Sequence, residues 1–130
     1  MDIPDCIKNI ANIPPEPSWI ARTGEPLSLQ ALLGHFRGFT VYHETLAPGH
    51  RSASPHSHSR KDEFIFVLTG NPDVWLDGNL HRLQPGDAIS FQAGTGVAHT
   101  FVNNSNQAAN YLVVSSNGVD DDVVSYSRLS

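Results

Sequence analysis

The stretch Pro55-His56-Ser57-His58-Ser59-Arg60-Lys61-Asp62-Glu63-Phe64 sets two histidines one residue apart, with a glutamate five residues after the second. On a β-strand alternate side chains share a face, so His56 and His58 can aim two imidazoles at one interior point. Glu63 opens an apolar run in which Ile65 and Val67 share its face, which carries its carboxylate inward among core residues. An ionised carboxylate buried without compensation is costly, and a bound cation is one of the few partners that offsets the cost well. His99 lies in Val97-Ala98-His99-Thr100-Phe101-Val102-Asn103, after a Gly94-Thr95-Gly96 turn, and completes a set of three imidazoles and one carboxylate from an opposing strand. Such a thiolate-free set suits one divalent transition metal (iron, manganese, nickel, cobalt, copper or zinc) and leaves positions open for water or substrate. Ligand type alone does not choose among these metals.

The elements that must position these residues are short β-type runs separated by turn signals. FTVYHETL precedes Pro48-Gly49, EFIFVLTG precedes Asn71-Pro72, DVWL precedes Asp77-Gly78 and LHRL precedes Pro85-Gly86, with AISF, HTFVN and YLVV supplying further strands. Asp77-Gly78-Asn79 suits a tight turn with positive φ. Strands at short, even intervals with almost no helix indicate a sandwich or barrel. Ahead of them Pro4, Pro14, Pro15, Pro17 and Pro26 exclude a long helix, so residues 1–35 read as an extended arm and residues 36–130 as the barrel. Leu27 to Gly34 is too short an apolar run for periodicity to separate a helical turn from a strand. VVSY near the end can return as an edge strand.

Composition narrows the function. At 130 residues the chain is expected to form one domain with a core that needs no disulfide, and Cys6, the single cysteine, can form none. A net charge of -5 with eight Lys and Arg argues against a nucleic-acid partner, which needs a clustered basic surface, and against a membrane surface. No apolar run approaches the roughly 20 residues that span a bilayer, and MDIPDCIKNI lacks the pattern of a secretory leader, so a cytoplasmic location is expected.

These residues give the chain a resemblance to a small single-domain cupin, an all-β, antiparallel double-stranded β-helix (jelly-roll barrel). The family's first motif runs Gly, about five residues, His-x-His, three or four residues, Glu, six residues, Gly, and is matched by Gly49, His56, His58, Glu63 and Gly70. The second runs Gly, five residues, Pro-x-Gly, two residues, His, three residues, Asn, and is matched at Gly86, Gly96, His99 and Asn103. Two departures stand out: Gly94 occupies the proline position, and seven residues separate it from Gly86. The resemblance covers about Phe39 to Ser115 and implies metal ligation by His56, His58, Glu63 and His99. FQAGTGVAHTFVNNS with PGDAIS ahead of it is similar to a bacterial group of stand-alone cupins.

The resemblance implies a metal-dependent enzyme of dioxygenase, isomerase or lyase type acting on a small organic molecule. The alternative is a non-catalytic, metal-dependent protein that binds a sugar or carboxylate. A proline-rich arm resembling the extension by which cupins pair implies a homodimer. Glu63 is then a ligand rather than a base, and His50, Tyr42 or a bound hydroxide are the candidates for proton transfer. His35, His43 and His81 read as ordinary solvated or hydrogen-bonded histidines, Trp19 and Trp75 as packing residues, Asp120 to Asp122 as a solvated acidic turn, and Arg60-Lys61 as a solvated basic pair. Asn103 serves either the site or the end of a strand.

Overall fold

A computed structural model describes residues 3–18 and 27–127. Trp19 and Pro26 lie outside the described residues. Among the described residues, eleven strands and one short 3-10 turn, Ile10–Asn12, make up the regular structure: β1 (Glu16–Pro17), β2 (Leu29–His35), β3 (Phe39–Leu46), β4 (His56–His58), β5 (Glu63–Thr69), β6 (Asp73–Leu76), β7 (Asn79–Arg82), β8 (Ala88–Phe91), β9 (His99–Val102), β10 (Ala109–Ser116) and β11 (Val124–Tyr126). Among the described residues, every pairing between these strands is antiparallel, and one isolated bridge, Leu27 to Arg51, is parallel. One sheet has the order β1-β2-β3-β10-β5-β8 and the other β11-β4-β9-β6-β7. The two face each other as the walls of a jelly-roll barrel.

The alternation read from the sequence sets which side chains enter. In β10 the burial pattern alternates strictly, with Ala109, Tyr111, Val113 and Ser115 buried. Their partners on β3 are Leu46, Glu44, Tyr42 and Thr40. Tyr111, Val113 and Ser115 in turn face Val67, Ile65 and Glu63 of β5. Leu46, Ile65, Val67, Val74, Leu83, Phe101, Ala109, Tyr111 and Val113 form the core cluster. Truncating one of its large members to alanine costs about 2–5 kcal/mol by the usual behaviour of packed interiors. The segment from Leu29, for which helix and strand stood open, is strand β2 along β3, and the VVSY segment returns as β11 on the edge of the second sheet.

Two turns need their glycines. Leu76 pairs with Asn79, leaving Asp77 (φ 45°) and Gly78 (φ 99°) as a two-residue connection. Positive φ at both is the conformation that matches the right-handed twist of a hairpin. Gly70 ends β5 at φ 83°, and a Cβ there would lie 2.7 Å from Ala108 O and from Ala109 Cα. No side chain fits where β5 passes the start of β10.

Candidate metal centre

The second sheet supplies the imidazoles. His56 and His58 sit two apart on β4 and point inward together, and His56 pairs directly with His99 of β9. Glu63 opens β5 on the facing sheet, inward as Ile65 and Val67 are. Its Oε1 lies 3.1 Å from His58 Nε2, 3.7 Å from His56 Nε2 and 3.2 Å from His99 Nε2. The four side chains that the motif brought forward therefore meet around one carboxylate oxygen. The donor atoms of His56, His58 and Glu63 all lie within 4.8 Å of one another, a group able to hold a metal ion.

The outer nitrogens fix how the rings present themselves. His56 Nδ1 lies 2.8 Å from Ser54 O, and a carbonyl can only accept, so Nδ1 carries a proton and Nε2 is the nitrogen turned toward Glu63. His58 Nδ1 donates to Asp122 Oδ2 at 2.7 Å. Asp122 is itself held by the backbone N–H groups of Arg60 at 2.8 Å and Lys61 at 3.1 Å. Lone pairs of neutral imidazoles facing an anionic oxygen repel unless a proton or a cation lies between them. The donor set thus fits a divalent ion, and outer partners of this kind are the usual orienters of metal-ligating histidines.

The electrostatics agree. Burial would raise the Glu63 carboxyl, but hydrogen bonds from His56, His58 and His99 outweigh it and hold the pKa far below the carboxylate range. Burial would lower His58, yet its bonds to Glu63 and Asp122 prevail and raise it. Asp122 is held below the ordinary aspartate value, because backbone N–H bonds and His58 outweigh its desolvation. His99 packs differently: its ring stacks on Phe91 with centroids 3.6 Å apart and planes 5° apart, and its Nδ1 is buried without a hydrogen bond.

The loop before His99 explains a departure from the family motif. Gly94 has φ 82°, a value closed to proline, whose ring fixes φ near −65°. Its N–H donates to His58 O at 2.9 Å, tying this loop to the His-x-His strand. Asn103 serves the end of its strand rather than the site: its Nδ2 donates to Leu46 O and Gln107 O at 2.8 and 2.7 Å. His50 lies in the β3–β4 connection, where its carbonyl accepts from Asn103 N at 3.0 Å. Trp75 is buried on β6, in keeping with a packing role.

The centre opens into a cavity of about 400 Å³, whose walls include His56, His58, Glu63, His99, Tyr42, Glu44, Tyr111 and Lys61. Sequence reasoning missed two of the residues around it. Asp122, taken as part of a solvated turn, has a largely buried side chain on His58. Glu44 shares its face with Tyr42 and Leu46 on β3; that period-two position, a carboxylate in phase with core residues, was the available signal.

The chain belongs to the cupin domain family, whose model matches residues 42–115. No curated protein matches it. Among solved structures, a sugar phosphate isomerase of the cupin superfamily from Silicibacter pomeroyi is 27% identical, covering 93% of this chain and 81% of that one at a TM-score of 0.84. A putative sugar phosphate isomerase from Acidithiobacillus ferrooxidans is 25% identical, covering 76% of this chain and 64% of that one, with a TM-score of 0.71. A polyketide cyclase from Streptomyces resistomycificus, 24% identical with coverage of 95% and 87% and a TM-score of 0.74, shares the fold.

Proposed function

We propose that His56, His58, Glu63 and His99 bind one divalent transition-metal ion, and that the loaded protein is an enzyme isomerising a small hydroxy-carbonyl compound of sugar type. The observation that carries this reading is the meeting of three imidazole Nε2 atoms with one carboxylate oxygen at 3.1–3.7 Å inside a cavity. When bound, the ion supplies a Lewis acid for a carbonyl oxygen.

Among dioxygenase, isomerase and lyase chemistry, the similarity to two proteins described as sugar phosphate isomerases supports isomerisation. The cavity supports a polar substrate, because Ser18, Gln30, Tyr42, Ser52 and Ser115 line it beside the centre. Among the described residues, Lys61 is the lysine or arginine on that lining, an anchor for an anionic group such as a phosphate. Glu44, Glu63 and Asp122 bring negative charge to the walls of the same cavity.

The test is reconstitution with each metal, followed by incubation with a panel of aldoses and ketoses, free and phosphorylated. Metal-dependent interconversion of an aldose and a ketose supports the reading. Saturable binding of a sugar or carboxylate without turnover would replace it with a non-catalytic binding protein, and oxygen consumption would replace it with a dioxygenase.

A further inference from the structure

Across the cavity from the histidines, β3 and β10 place a second polar group that the metal reading leaves unused. Glu44 and Tyr111 are directly paired on neighbouring strands, and both side chains line the cavity that contains His56, His58, Glu63 and His99. Glu44 is buried and accepts a hydrogen bond from Ser28 Oγ at 3.2 Å. The Tyr111 hydroxyl is fully buried and makes no hydrogen bond of ordinary geometry, although Glu44, Ser28 and Ser52 are its polar neighbours. A buried carboxylate beside an unsatisfied hydroxyl is expensive for a core. Apolar residues would fill the same positions at less cost.

We propose that Glu44 is the proton-transfer residue of this site and Tyr111 a substrate-positioning residue, acting on a hydroxy-carbonyl compound that spans the cavity between them and the histidine centre. The assignment rests on the isomerase reading above. The Glu44 carboxylate takes the proton from the carbon bearing the hydroxyl. The C–H electron pair becomes a C=C bond, and the carbonyl π pair moves onto its oxygen. The hydroxyl proton then passes between the two adjacent substrate oxygens, and Glu44 returns its proton to the former carbonyl carbon. Atoms and electrons balance within the substrate and one carboxyl group, so no external oxidant or reductant is needed. The Tyr111 O–H, which makes no hydrogen bond of ordinary geometry within the protein, donates to a substrate oxygen.

The surroundings suit a base working near neutrality. Burial, the largest influence, raises Glu44 to about 7; Tyr111 and Ser28 draw it down, and the Glu63 carboxylate pushes it up. The titratable and charged groups facing the same space are Tyr42 on its own strand, Tyr111 on β10, Glu63 on β5, His56 and His58 on β4, His99 on β9, and Lys61 and Asp122 at the walls. A catalytic base is most effective with a pKa close to the working pH.

The experiment compares metal-loaded wild type, Glu44→Gln, Glu44→Asp and Tyr111→Phe in D2O, following deuterium entry into the carbon-bound positions of the aldose and ketose panel by NMR. Metal content and melting curves serve as controls. The expected result is exchange in the wild type, a loss of roughly 10²–10⁴-fold in kcat for Glu44→Gln with a small change in KM, and full metal content. Wild-type kcat/KM should rise with pH on a limb that is absent from the residual activity of Glu44→Gln. Tyr111→Phe should raise KM several-fold and keep the limb. Exchange by Glu44→Gln at the wild-type rate overturns the assignment while leaving the isomerase reading intact. If Glu44→Gln melts well below the wild type, Glu44→Asp decides: kcat ten-fold or more lower at similar KM sustains the assignment, and unchanged kcat overturns it. A wild type that interconverts no member of the panel overturns the isomerase reading itself, and the role of Glu44 falls with it; interconversion without deuterium entry overturns the Glu44 assignment alone.

Discussion

The His58 imidazole donates through Nδ1 to Asp122 Oδ2 at 2.7 Å, so a residue from the turn before β11 fixes the orientation of a ring on β4. The pairing of β11 with β4 is what brings the two together, with Val124 opposite His58. Removing this contact should weaken metal binding without deleting a ligand. Asp122→Ala is expected to lower metal affinity by roughly 10–100-fold, measured by competition with a chromophoric chelator. Unchanged affinity would mean that the ring is held by packing alone.

The same ring makes metal uptake depend on pH. In the metal-free protein His58 contacts a carboxylate at each nitrogen, and its pKa is raised. A metal ion at Nε2 must displace that proton, so affinity should rise with pH across the range in which His58 loses it, and binding should release protons. Calorimetry in buffers of different ionisation enthalpy counts them. Zero release would show that His58 is already neutral or does not ligate.

Glu44 should leave a signature in stability as well. Its pKa rises from 4.5 in the unfolded reference to about 7 in the fold. Between these values the unfolded chain has given up a proton that the folded chain keeps, so folding stability falls as pH rises through the window. The full penalty applies above about pH 7 and is on the order of 3 kcal/mol. Metal-free Glu44→Gln should therefore gain stability over the wild type at pH 8, and the gain should fade toward pH 4.5. Urea titrations at the two pH values check this, and an equal difference at both would contradict it.

Gly70→Ala should destabilise through the backbone. The substitution forces a side chain into φ 83° and against Ala108 O and Ala109 Cα at 2.7 Å. Left-handed strain and overpacking together should cost about 2–4 kcal/mol, read from the urea midpoint. Wild-type stability would show that β10 shifts freely at its start.

Legibility in the sequence followed the range of the interactions. His56, His58 and Glu63 were readable because period two within one short segment fixes their faces, and Glu63 announces itself by keeping phase with Ile65 and Val67. His99 was proposed from its place after the Gly94-Thr95-Gly96 turn and matched by the family motif, while the pairing of β4 with β9 is what sets it beside His56. Asp122 stayed hidden between acidic neighbours: Asp120 and Asp121 are exposed, and nothing local tells the buried member from them. Asn103 was ambiguous because its partners Leu46 and Gln107 belong to a loop closure that no periodicity encodes. The segment from Leu29 was too short for its own pattern to decide, and pairing with β3 made it a strand.

His56, His58, Glu63 and His99 are proposed to hold one metal ion between them. Elemental analysis of the purified wild type, His56→Ala and His99→Ala, each reconstituted with metal and desalted, tests it most directly, with far-ultraviolet circular dichroism on the same samples. The expected result is about one divalent ion per chain in the wild type, with little in either variant and the β signature retained. Wild-type metal content in either variant, or none in the reconstituted wild type, would contradict the account.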